Sequence, residues 1–312
     1  MVTVTAKSTK PENPEKPENP ENPDNPDNPE NPDNPDNPDN PENPENPDDP
    51  ENPDNPENPE EPKTVGWLEL PAFETDNTRL LLVHDMKGGK YVSRSKSGVR
   101  NWTSLWDGKE HLSHWVAYPL NSSLRGSGSR TNAWGFDPLI PASQQPDLTQ
   151  GSYGGGWTRG HQIPSADRLT YAANVSTFYA TNMTPQQYDF NGGIWGDLEV
   201  AVRSYAAKSD TLYVVTGCLV KNSTQKTGNK SGFVVKVPTH YYKALLSRKG
   251  STYKAVGFLL PHSADIAGES YLNYRMTIDA LEEKTGMDFF PNLEGVIGKA
   301  AADAVESKIG SW

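Results

Sequence analysis

Apolar positions are absent from Pro11 to Pro62 and then recur in short runs. From Pro11 to Pro62 a proline stands at every third position, with Asp, Glu and Asn between, so this stretch holds 18 of the 28 prolines. Polyproline II has three residues per turn, which puts the prolines on one edge and the acids on another, and no apolar residue is there to offset the entropy of packing. Residues 1–62 are therefore predicted to be a disordered acidic spacer. At about 3.1 Å per residue its 52-residue repeat could reach roughly 160 Å. Beyond it, short runs rich in Val, Leu and Tyr and bounded by Gly, Asn and Ser predict strands over 66–73, 79–86, 90–95, 114–120, 211–220, 232–237 and 253–261. Two helices are predicted. One runs from Asn191 toward Lys208 with Ile194, Trp195, Leu198, Val202 and Tyr205 as its apolar stripe, and the other covers 278–285 and ends at Gly286. The pattern implies an α+β fold over residues 63–312, a central antiparallel β-sheet with packed helices.

Charge changes the picture once it is divided by segment. The whole chain carries −12, but the repeat from Pro11 to Pro62 holds 19 of the 41 acids and only Lys16 among the bases, leaving 22 acids against 28 Lys and Arg outside it. The folded part is thus net positive, which is compatible with a polyanionic partner. Cys218 is the single cysteine, so neither an intramolecular disulfide nor a cysteine-built zinc site is available. No apolar run reaches transmembrane length. A long acidic spacer ahead of a catalytic domain suits a tether, so an exported, extracellular or surface-tethered protein is expected, its export or anchor segment not present in this sequence.

Two segments concentrate chemistry. In the first, Arg159, His161, Asp167 and Arg168 follow the run Gly154-Gly155-Gly156, pairing a proton acceptor near neutral pH with a fork for phosphate oxygens. In the second, Asn191, Trp195, Glu199 and Arg203 stand four residues apart, which lines an amide, a carboxylate and a guanidinium along one helix flank. Read alone, these are more simply an ordinary structural or surface His–Arg and an exposed helix face with an i,i+4 ion pair.

Together they resemble the DNA/RNA non-specific endonuclease family. Thr158-Arg159-Gly160-His161 is similar to its Asp-Arg-Gly-His motif, and Asn182-Met183-Thr184-Pro185-Gln186, followed by Asn191, Trp195, Leu198-Glu199 and Arg203, to its second signature. Weaker likeness covers 114–118, 134–138, 215–217, 237–239 and 274–286. The resemblance implies a ββα-metal active-site motif and Mg²⁺-dependent hydrolysis of phosphodiester bonds in DNA and RNA, with Mn²⁺ as a substitute ion and the phosphate backbone as the contact. It assigns His161 as general base and Asn191 as the protein ligand of the metal. Glu199 would accept hydrogen bonds from metal-bound waters, Arg159 and Arg203 would face phosphate, and Asn182 would support the geometry. Arg130, ahead of Trp134, resembles a further phosphate-binding arginine at a shifted spacing. Activity is expected to rise across about pH 6 to 8, where histidine ordinarily loses its charge.

The departure is Thr158, where the family motif has Asp, so a hydroxyl stands in for a charged acceptor. Competing readings are a binding module that kept the fold without catalysis and a phosphodiesterase of small nucleotides. Ser-His-Asp chemistry lacks a Gly-x-Ser-x-Gly elbow. His84, His111, His114, His240 and His262 read as structural or surface residues without zinc spacing. Dimerisation, an inhibitor protein and the preference between DNA and RNA stay open.

Overall fold

A computed structural model describes residues 66–86, 100–229 and 231–312. The spacer and the predicted strand at 90–95 lie outside the described residues. The strands are β1 (Arg79–Asp85), β2 (Arg100–Asp107), β3 (Leu112–Leu120), β4 (Thr158–His161), β5 (Met183–Gln186), β6 (Thr211–Leu219), β7 (Lys226–Gly228), β8 (Val234–Lys236), β9 (His240–Lys249), β10 (Thr252–Pro261) and β11 (Arg275–Met276). The helices are α1 (Ser122–Arg125), α2 (Tyr171–Ser176), α3 (Tyr188–Gly192), α4 (Ile194–Ala207), α5 (Ile278–Thr285), α6 (Glu294–Ile297) and α7 (Lys299–Glu306).

Seven strands form one sheet in the order β1-β2-β3-β6-β9-β10-β11, each pair of neighbours antiparallel. Successive side chains of a strand point to opposite faces, and both faces of this sheet are covered. On β6, Leu212, Val214 and Cys218 enter one core while Tyr213 and Val215 enter the other. The first core is closed by α3 and α4, the second by α5 and the segment carrying Phe289, Phe290 and Leu293. The predicted α+β class with a central antiparallel sheet is the observed architecture.

The stripe predicted for the long helix is the face that α4 buries: Ile194, Trp195, Leu198 and Val202 are each at most 1% exposed, and Tyr205 packs at the edge. Burial of such side chains is worth about 1.5–3 kcal/mol each relative to exposure. The helix is not continuous, however. It breaks at Gly193, where a Cβ would stand 2.5 Å from Ala267 O and 2.6 Å from Asp189 O, so Asn191 rides on α3 and Glu199 and Arg203 on α4. The break is a packing effect, invisible to periodicity.

Two further expectations are corrected. Residues 66–73 form turns, not a strand: Leu68 and Leu70 enter the second core, and Glu69 between them is buried against Arg100, Nε to Oε1 2.5 Å. Alternating apolar residues can serve a turn as well as a strand when a neighbour takes the polar side chain. The strand β9, His240–Lys249, was not predicted, because its Ala-Leu-Leu-Ser-Arg-Lys half has no strand bias of its own. It is imposed by pairing along its whole length with β6 on one side and β10 on the other.

Candidate active site

Outside the large sheet, β4 and β5 form an antiparallel ribbon that sets Arg159 opposite Pro185 and His161 opposite Met183, and α3 follows directly. This ribbon-plus-helix is the ββα unit. Gly160 is required in it, since a Cβ there would lie 2.3 Å from the Gln186 side chain. Asn182, fully buried, stitches the ribbon to its surroundings. Its Oδ1 accepts from Ile163 N at 2.9 Å, and its Nδ2 donates to Ile163 O at 2.9 Å and Thr177 O at 2.7 Å. Every polar atom of that amide is spent internally, so Asn182 shapes the site and does not reach into it.

His161 is 9% exposed and packs edge-on against Phe178, centroids 5.0 Å apart, with Trp134 at 5.5 Å. Its Nε2 is buried without a hydrogen-bond partner. Burial, then the positive charges of Arg130 and Arg159, push its pKa down to about 3. The ring is therefore neutral throughout the physiological range, and the expected rise in activity over about pH 6 to 8 cannot come from His161 in the free protein. Sequence alone carries the ordinary histidine value; desolvation and two neighbouring cations are tertiary facts.

The two arginines bracket Trp134. Arg159 stacks its guanidinium 3.6 Å from the ring centre and donates to Leu148 O at 2.8 Å. Arg130 lies over Phe178 at 4.8 Å and Trp134 at 6.0 Å, with Nε to Asn132 Oδ1 2.7 Å and NH1 to Ser165 Oγ 3.3 Å. Both keep unspent donor groups beside His161. Arg203 is placed differently: its NH1 donates to Asp167 Oδ1 at 3.2 Å, and the other oxygen of that buried carboxylate accepts from Tyr118 OH at 2.7 Å. Asp167, the nearest carboxylate to His161 in sequence, is thereby fully engaged. Arg168, also fully buried, is committed to Asn101, Pro119 and Asp167 backbone and side-chain oxygens.

Asn191, half-buried, donates Nδ2 to Thr158 Oγ1 at 3.1 Å, and Thr158 Oγ1 in turn donates to Gln186 O at 2.9 Å. The Asn191 carbonyl oxygen accepts no hydrogen bond among the described residues and is free for a cation. No group of three or more His, Cys, Asp or Glu side chains among the described residues could hold a metal. Glu199, partly exposed, has no hydrogen-bond donor among the described residues. Burial raises its pKa to about 7 against the pull of Lys243, Arg203 and Arg130.

His262, read from the sequence as a structural or surface residue, is a structural support of the site whose partners the sequence did not show. Its Nε2 accepts from Gln187 N at 2.8 Å and its Nδ1 donates to Pro238 O at 2.8 Å, which fixes a neutral tautomer and pins the residue that caps α3. No local signal marks it, because Gln187 and Pro238 are 75 and 24 residues away.

The sequence profile of the DNA/RNA non-specific endonuclease family matches residues 91–295. A zebrafish (Danio rerio) relative named "Nuclease EXOG, mitochondrial" is 32% identical over 231 residues, 68% of this chain and 66% of the relative. "Nuclease C1" of Cunninghamella echinulata var. echinulata is 35% identical over 206 residues, covering 62% of this chain and 79% of the relative. A crystal structure of an EndoG/EndoGI complex shares the fold at a TM-score of 0.50 and 23% identity, covering 61% of this chain and 83% of that one. The chain spans just under two thirds of the zebrafish relative's own length. That relative is named as mitochondrial, as is a human one matched at 29% identity, which overturns the expectation of an exported or surface-tethered protein. The matched profile, the relatives and the ββα site converge on one conclusion: the chain belongs to the DNA/RNA non-specific endonuclease family.

Proposed function

We propose that the chain is a metal-dependent, sequence-nonspecific endonuclease that hydrolyses phosphodiester bonds in DNA and RNA, with His161 as general base and Asn191 as the protein ligand of a Mg²⁺ ion. The observation that carries this reading is the state of His161: a neutral imidazole with an unpartnered buried nitrogen, in the field of two arginines. A ring so placed has no structural hydrogen bond to give up when it takes a proton, and the two arginine charges that, after burial, keep it neutral are ones a bound phosphate would offset.

The donor set fits magnesium. That ion keeps most of its waters and needs few protein ligands, and the Asn191 carbonyl oxygen is free while its amide is anchored on Thr158. When bound, Mg²⁺ supplies Lewis-acid polarisation of the phosphate and charge neutralisation at the leaving oxygen. Arg130 and Arg159 bind and orient the phosphate through their unspent N–H groups. His161 accepts the proton of the water whose oxygen forms the new P–O bond as the bond to the leaving oxygen breaks. The arriving phosphodiester charge raises the pKa of His161 and so strengthens it as a base when substrate is present. Glu199, as a carboxylate, would accept hydrogen bonds from water held at the ion.

Digestion of single- and double-stranded DNA and RNA with Mg²⁺, Mn²⁺ or EDTA tests the reading. The unmodified chain should cut all four substrates and lose activity in EDTA. His161→Ala should lower turnover by about 10² to 10⁴, and Asn191→Ala by about 10² or more, with magnesium held more weakly. Undiminished cleavage by His161→Ala would remove the base assignment.

A further inference from the structure

Lys243 is 0% exposed, yet no carboxylate among the described residues lies within ion-pair distance of its ammonium. Lysine is almost never fully buried without a partner, and an apolar side chain in its place would stabilise the fold at least as well. The residue sits in the middle of β9 directly opposite Thr216 of β6. It shares its face with Tyr241 and Leu245, which pack into the core under α4. Its Nζ donates to Thr216 Oγ1 at 3.0 Å and lies 4.2 Å from the centre of the Trp195 ring. Trp195 and Glu199 are one turn apart on α4, so the ammonium lies beneath the helix flank that carries Glu199.

Charge accounting shows what it serves. The groups that act on Glu199 are Lys243 from β9, Asp167 from the segment after β4, Arg203 from α4 and Arg130 from the loop after α1, with the Tyr118 hydroxyl of β3 also in its field. Arg203 is committed to Asp167 by direct contact, and Arg130 is tied to Asn132 and Ser165. Lys243, fully buried and hydrogen-bonded only to the neutral Thr216 hydroxyl, is in ion-pair contact with no acid among the described residues.

We propose that Lys243 is a positioning residue for the nuclease chemistry: a buried positive charge on the sheet that holds Glu199 as a carboxylate from behind α4. The proposal rests on the functional reading above. Without that cation, burial and Asp167 leave Glu199 carrying a proton at neutral pH, and a protonated Glu199 offers one acceptor fewer to the waters it orders.

The test compares Lys243→Met, which keeps the stem and removes the charge, with Lys243→Gln, which keeps a donor for Thr216. Melting temperature, kcat and KM on duplex DNA at saturating magnesium, and the pH profile of kcat are measured for both. Each variant should melt no lower than the unmodified chain, lose about ten- to a hundredfold in kcat with KM little changed, and shift its acid limb to higher pH. On a Glu199→Gln background, Lys243→Met should change kcat by less than about twofold, since residues acting as one unit are not additive. Unchanged kcat in both variants, a fall in kcat that tracks a fall in melting temperature, or full additivity with Glu199→Gln would overturn the proposal. Failure of the unmodified chain to cut any nucleic acid would overturn the nuclease reading itself, which is a separate outcome.

Discussion

Thr158 Oγ1 accepts a 3.1 Å hydrogen bond from Asn191 Nδ2 while donating to Gln186 O at 2.9 Å. The position where the family motif carries Asp thus still supplies an acceptor that orients the proposed metal ligand. Thr158→Val keeps the shape and removes the acceptor. It should weaken magnesium binding about tenfold, read by calorimetric titration of the metal, and lower cleavage correspondingly at limiting magnesium. Thr158→Asp should bind magnesium at least as well as the unmodified chain. Equal affinity in Thr158→Val would mean that the contact orients nothing.

The pH dependence of stability follows from His161. Its folded pKa, about 3, is below the ordinary value near 6.5, so between those limits the unfolded chain binds a proton that the folded chain does not. The contribution to stability is complete above about pH 6.5 and is lost as pH falls toward 3. His262, held at about 4 chiefly by burial, acts in the same direction. Denaturant unfolding from pH 7 to 4.5 should show stability falling with acid, and His161→Phe should reduce that slope by up to one proton, about 1.4 kcal/mol per pH unit. NMR titration of the free protein should leave the His161 ring neutral down to pH 5. A midpoint near 6.5 would contradict the described surroundings of the ring.

Asn182→Ala strips three internal hydrogen bonds from a buried place and leaves Ile163 N–H, Ile163 C=O and Thr177 C=O without their partner. Each such loss costs about 1–3 kcal/mol, so a destabilisation on the order of 3 kcal/mol is expected by urea unfolding. A variant of unchanged stability that has nevertheless lost turnover would show that Asn182 acts on substrate directly.

A chain starting at Lys63 should fold with an unchanged melting temperature and cut nucleic acid at least as well as the full chain. Removal of 19 carboxylates lowers repulsion of a polyanion, so any gain should be largest at low salt and fade as salt screens it. Loss of stability on truncation would show that residues 1–62 belong to the folded unit.

What the sequence determined by itself was whatever local spacing encodes. The apolar stripe from Ile194 to Val202 specifies α4, short Val- and Leu-rich runs specify β1, β3, β6, β8 and β10, and the ordered residues from Arg159 to Arg203 specify the family and the ββα unit. The tertiary structure decided everything that depends on who stands opposite. Pairing on both sides made a strand of His240–Lys249, and Ala267 O pressing on Gly193 divided one expected helix into two. Contact with the buried Asp167 carboxylate tied down Arg203, and Gln187 and Pro238 made His262 a fixed support. Desolvation placed the pKa of His161 far below its sequence value and left Lys243 as a buried cation behind Glu199. Those are long-range effects of packing and dielectric, whose partners lie tens of residues away, and a linear pattern carries periodicity but not proximity.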